Sequence, residues 1–137
     1  RAEALYREAI ALAPDEYWYR VRLGELLAGE GQNDEAIQLF FEVMTAHPES
    51  PQTARLLDQA YSAQKKFKKC METWKEITEQ HPDAFTPRFH LCLAYERCSM
   101  RDEAIKTLNE LLKSHPDHQE AQALLEKLDT PERSDKE

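Results

Sequence analysis

The residues here whose types could carry chemistry are five histidines, three cysteines and one run of lysines. His47, His81 and His115 each precede a proline and stand 34 residues apart. A metal site would need two or more imidazoles converging on one ion within a few ångströms. Histidines at equal places in a repeating unit are carried away from one another by the repeat itself. At the end of a helix a histidine has another use: it can bond free carbonyls and, when protonated, favour the negative end of the helix dipole. His90 and His118 stand alone in the sequence. Cys70, Cys92 and Cys98 are odd in number and fit neither a disulfide framework nor a zinc pattern. They imply reduced thiols and an intracellular, cytoplasmic setting, with a cysteine-tolerant periplasmic protein as the alternative. Cys92 falls at a helix-packing position, where cysteine acts as a small apolar residue. Cys98 lies near a turn and is the better candidate for labelling or oxidation.

No GxSxG, HExxH, P-loop or GxGxxG pattern occurs. No catalytic residue, cofactor-binding residue or metal ligand is therefore assigned, and the chain is read as non-catalytic and without a cofactor. The lysines of "KKFKKC" (Lys65, Lys66, Lys68 and Lys69, around Phe67) form the one basic cluster. The first reading is a solvated turn and helix start; the second is a patch for an acidic lipid or protein.

The elements that position these residues are legible from composition and period. The net charge of −8 argues against duplex nucleic acid as a main partner, since that needs a basic face. Only 3 glycines, with abundant Ala, Leu, Glu, Gln and Lys, point to helix. No apolar run approaches the roughly 18–20 residues of a membrane span, and no signal-like segment opens the sequence. Helical rhythm is already under way in "RAEALYREAIALAP", so the chain is expected to continue a longer protein upstream.

Blocks 17–50, 51–84 and 85–118 align. Leu23, Leu57 and Leu91 share one column, followed by Gly24, Asp58 and Cys92. Leu27, Tyr61 and Tyr95 share the next; then Ala36, Cys70 and Ala104; then Phe40, Trp74 and Leu108; then Val43, Ile77 and Leu111. A proline closes each block five residues later. Residues 1–16 fit the second half of one more block. Apolar spacing within each half-block is that of an amphipathic helix. Breaks fall at "AGEGQND", "SAQKKFK" and "ERCSMRD", with Asn33, Asp34 and Asp102 as candidate caps. Proline ends the second helix of each pair, since it lacks an N–H and disfavours helix before it.

This pattern resembles the tetratricopeptide repeat (TPR) family, whose signature runs W-x2-L-G-x2-Y, A-x3-F and P at a 34-residue period. Here "LGELL" from Leu23 and "AIQLF" from Ala36 carry it, closing at Pro48. Arg20, Ala54 and Arg88 stand where the family often has Trp. Asp58 and Cys92 replace its small Gly or Ala, and Cys70 its Ala. The resemblance covers residues 1–118 and implies an all-α fold: an α-solenoid of stacked helix-turn-helix repeats, about three and a half of them, with a capping helix over 119–128. Stacking supplies the core, because one helix pair cannot bury its own apolar face. Residues 129–137 lack apolar partners and are expected to be disordered.

The resemblance implies that the first helix of each pair lines a concave groove. The expected lining residues are Trp18, Val21, Arg22, Arg55, Leu56, Gln59, Phe89, His90 and Leu93, with Glu25, Gln52 and Thr86 in the same stripes. Some members of the family clamp an acidic chaperone tail with Lys and Asn in the first repeat, Asn in the second, and Lys and Arg in the third. The matching positions carry Val21, Glu25, Leu56, Thr86 and His90, so that clamp is not expected. The function expected is a protein–protein interaction scaffold for a peptide or helix, amphipathic with some acidic character. Two further readings are a docking array within a larger enzyme and a homo-oligomer formed through the N-terminal helix face of Ala2, Leu5, Tyr6 and Ala9.

Overall fold

Helix ends in this chain are set by proline, by left-handed turns and by side-chain caps. The computed structural model describes residues 2–129, and among them the chain forms eight α-helices and no strand. These are α1 (Ala2–Leu12), α2 (Tyr17–Gly29), α3 (Asn33–Ala46), α4 (Pro51–Ala63), α5 (Phe67–Gln80), α6 (Phe85–Arg97), α7 (Arg101–Ser114) and α8 (Gln119–Asp129). Asp129 is the last residue of α8; the rest of the segment expected to be disordered lies outside the described residues. Among the described residues no helix is long and apolar enough to cross a membrane.

One turn recurs three times. Gly31, Lys65 and Ser99, 34 residues apart, hold positive φ of 84°, 55° and 61°. In each the left-handed residue's N–H and the next N–H bond back into the helix just ended. Gly31 N–H reaches Ala28 O at 3.0 Å and Gln32 N–H reaches Leu27 O at 2.8 Å; Lys66 reaches Tyr61 O at 3.1 Å and Met100 reaches Tyr95 O at 2.8 Å. This is the Schellman arrangement, which satisfies the last carbonyls of a helix. The expected caps differ. Gln32 and Met100 occupy the cap positions of α3 and α7 without a side-chain bond. Asp34 and Asp102 lie at the second helical position, in the first turn, where a carboxylate favours the positive end of the dipole. Ser50 caps α4 by side chain, accepting the Thr53 N–H at 3.3 Å with Pro51 opening the helix.

At the other turns, His47, His81 and His115 follow the last residue of α3, α5 and α7. Their backbone N–H groups bond Val43, Ile77 and Leu111 O at 2.6, 3.0 and 2.9 Å. The rings of the first and third pack on an aromatic residue: His47 on Tyr17 at 4.3 Å and His115 on Phe85 at 4.8 Å. Tyr17 and Phe85 share one repeat position. So the main chain does the capping, and these two imidazoles pack on the helix that opens their own block.

The chain divides into two compact units, residues 1–70 and 71–137, with the boundary inside α5. In the first, α1, α2, α3 and α4 pack each on the next, and α4 also touches α2. Leu23, Leu27, Phe40, Met44 and Leu57 are fully enclosed. Gly24 allows this packing: a Cβ there would lie 2.5 Å from Phe40 Cε1. In the second unit α6 packs on α7 and α7 on α8, around Trp74, Ile77, Leu91, Cys92 and Leu108. Every aligned apolar column named above is buried in both units.

A polar latch also follows the repeat. Arg20 Nη1 donates to Pro14 O at 2.7 Å and Arg88 Nη2 to Pro82 O at 2.8 Å. Gln122 Nε2 donates likewise to Pro116 O. These residues occupy the column where the family often has Trp; Ala54, in the same column, has no such group.

Candidate functional site

The first unit presents a face between α2 and α4. Trp18, Arg22 and Glu25 recur on α2 at spacings of four and three, so they share one side of it. Gln52, Arg55, Leu56 and Gln59 do the same on α4. Trp18 is 44% exposed, which is unusual for so large an apolar ring. It stacks on Tyr17 at a centroid distance of 5.1 Å, and the Arg22 guanidinium lies 5.9 Å from its ring centre. Arg22 also donates to Glu25 Oε1 at 3.0 Å, which holds its fork in place. Arg55 is exposed and enters no ion pair among the described residues.

Two clefts open on this face. One of about 650 Å³ is walled by Tyr17, Trp18, His47, Pro48, Pro51 and Arg55. The other, of about 400 Å³, lies between Glu25 and Ala28 of α2 and Leu56, Gln59 and Ala63 of α4. Trp18 and Glu25 mark the two along α2. Seven residues at about 1.5 Å each separate them by about 10 Å. The face therefore offers two mostly apolar clefts, a cation beside the larger one and a guanidinium between them.

Five expected lining residues meet here: Trp18, Arg22, Arg55, Leu56 and Gln59. Val21 does not. It is fully buried, because α2 is packed on by α1, α3 and α4, which covers more of its circumference than one stripe. The other three expected residues belong to the second unit. His90 is only 7% exposed and its ring lies 5.0 Å from Trp74, so it serves the core there. Phe89 is half-buried between Phe85 at 5.7 Å and His118 at 5.8 Å, and Leu93 is half-buried. His118 is not isolated: its Nδ1 accepts the Ala121 N–H at 3.2 Å and so caps α8. The sequence reading missed Tyr17, Pro48 and Pro51 as cleft walls. Their signal was available in Tyr17 beside Trp18 and in the prolines flanking Ser50.

On this face the Ser50 hydroxyl donates to Thr53 Oγ1 at 2.9 Å. In the second unit, burial pushes the Cys92 thiol up to about 12, with Arg88 offsetting part of the rise. Cys92 is thus a neutral packing residue and no thiolate nucleophile. Among the described residues no group of three or more His, Cys, Asp or Glu could hold a metal ion.

Solved structures with the same fold include the first TPR domain of human RPAP3, at 22% identity and a TM-score of 0.65, covering 89% of this chain and 96% of that one. The first TPR of Spaghetti (RPAP3), bound to the HSP90 peptide SRMEEVD, matches at 22% identity and a TM-score of 0.62, covering 84% of this chain and 94% of that one. A thermophilic TPR protein of Thermus thermophilus matches at 18% identity and a TM-score of 0.61, covering 92% of this chain and 70% of that one. A search of curated proteins gives no match. Models described as tetratricopeptide repeat match residues 1–59 and 27–94, and another of that description matches 89–118. Most of the sequence is thus matched, and the chain belongs to the tetratricopeptide repeat family.

Proposed function

We propose that this protein is a non-catalytic interaction module that binds a segment of a partner protein on the α2–α4 face of its first unit. The observation that carries this reading is the exposed Trp18 at the larger of two clefts, with Arg22 and Arg55 on the same face. Aromatic and arginine side chains around apolar depressions are the groups that dominate protein interfaces. The partner segment would place two apolar side chains about 10 Å apart, which an amphipathic helix does at i and i+7. Carboxylates beside them would meet the two guanidinium groups. The RPAP3 neighbour bound to an HSP90 peptide supports protein segments as the class of ligand. Its peptide is not carried over, since Val21, Glu25 and Leu56 occupy the clamp positions in this unit.

Selection of binders from a random peptide library with the whole chain tests the proposal. Trp18→Ala and Arg55→Glu should each weaken the selected peptides at least about tenfold, the effect of losing one interface hot spot. Lys106→Glu, exposed on α7 in the second unit, should leave them unchanged. Equal binding by all four proteins would refute the face.

A second reading rests on α1, which buries no residue fully and leaves Leu5 and Leu12 largely exposed. That apolar edge favours self-association through α1. Sedimentation at rising concentration should show a dimer that Leu5→Glu abolishes; a monomer throughout would exclude it.

A further inference from the structure

The column that opens the second helix of each repeat changes sign once. α3 begins its first turn with Asp34 and Glu35, and α7 with Asp102 and Glu103. At the same positions α5 carries Lys68 and Lys69, with no acidic residue in its first turn. Carboxylates stabilise this end of a helix and ammonium groups oppose it. Two more local preferences are broken beside them. Lys65 adopts the left-handed φ of 55° at the place held by Gly31 in the preceding repeat. Phe67 stands where Asn33 and Arg101 stand, and is 37% exposed. None of the four lysines enters an ion pair among the described residues. The nearby Asp34 carboxylate accepts from Gln64 Nε2 at 2.7 Å.

Four ammonium groups and a phenyl ring are thus displayed over residues 65–69, where dipole, turn and burial would each select other side chains. Concentrated departures of this kind mark functional surfaces. We propose that residues 65–69 are a docking site for a short acidic segment of a partner protein that carries one apolar side chain for Phe67. Charge decides among anionic ligands. The chain as a whole has a net charge of −8, so a bilayer or a duplex spread across it would face a predominantly acidic protein. A short segment meets only charges within a screening length of about 8 Å, where the lysines prevail. The site is separate from the α2–α4 face and does not depend on it.

The test uses the whole chain and a fluorescent peptide, acetyl-EEDFEEL-amide. Vesicles containing phosphatidylserine and a single-stranded oligonucleotide serve as the other anionic probes. The peptide should bind saturably and lose affinity steeply between about 50 and 300 mM salt. Lys68→Asp with Lys69→Glu should weaken it at least about tenfold while raising the melting temperature, because the acidic pair of α3 and α7 is restored. Phe67→Ala should weaken it several-fold. Peptide binding that is absent, or that survives the lysine replacements, overturns the proposal. So does lysine-dependent binding of vesicles or oligonucleotide that exceeds binding of the peptide.

Discussion

Ser99 and Lys65 hold a backbone conformation that a Cβ makes costly, while Gly31 holds it freely. A non-glycine residue there loses about 1–2 kcal/mol, and glycine returns about 0.4–1 of that through its freer unfolded chain. Ser99→Gly should therefore stabilise the protein by about 0.5–1 kcal/mol, read as a higher urea midpoint at an unchanged slope. The cysteines differ in the same local way. Cys98 is partly exposed at the end of α6, whereas Cys70 and Cys92 are buried. Iodoacetamide should modify Cys98 in the native protein and reach the others only on unfolding. The raised Cys92 thiol also sets an alkaline limit. Its folded value lies above the ordinary value of 9.0, so the neutral form is favoured by folding. That contribution is complete below pH 9 and is lost as pH rises from there to about 12. Cys92→Ala should flatten the fall in stability over this window. It should not abolish it, since burial also raises the Tyr95 hydroxyl.

Single helices owe their ends to signals of unequal visibility. Proline and the left-handed turn can be read in one dimension, and the breaks between helices fall within the stretches that carry them. The caps could not be read so easily. Asp34 and Asp102 have the right side chain for a cap, but the Schellman turn uses the residue before each helix for its own backbone bond. The acids are left in the first turn. Helix faces were hardest. A stripe on α2 distinguishes Leu23 from Arg22, but Val21 looks surface-facing until α1, α3 and α4 are placed around it. Packing between elements makes two predictions. Gly24→Ala drives a methyl group into the Phe40 ring and should cost about 1–3 kcal/mol, with Phe40→Leu restoring part of the loss in the double variant. Arg20→Ala removes the donor to Pro14 O and should cost about 1 kcal/mol in thermal unfolding.

At the scale of the whole molecule, the 34-residue period was the most legible feature, because each column repeats a demand for volume at one place in the core. Sites answer to no such repetition. Trp18, Arg22 and Arg55 differ from their counterparts in the next blocks, so period alone could propose a face and not choose its occupants. The histidines show the converse: even spacing suggested ligands, while two of their rings serve aromatic packing. The two tryptophans make the central claim directly measurable, since Trp18 is exposed on the α2–α4 face and Trp74 is buried. A library-selected peptide titrated into isotopically labelled protein should move the indole N–H signal of Trp18 and the amide signals around Arg55 and Leu56, leaving the Trp74 indole unmoved. A saturating peptide that leaves Trp18 and Arg55 in place and perturbs other surfaces instead would contradict the account.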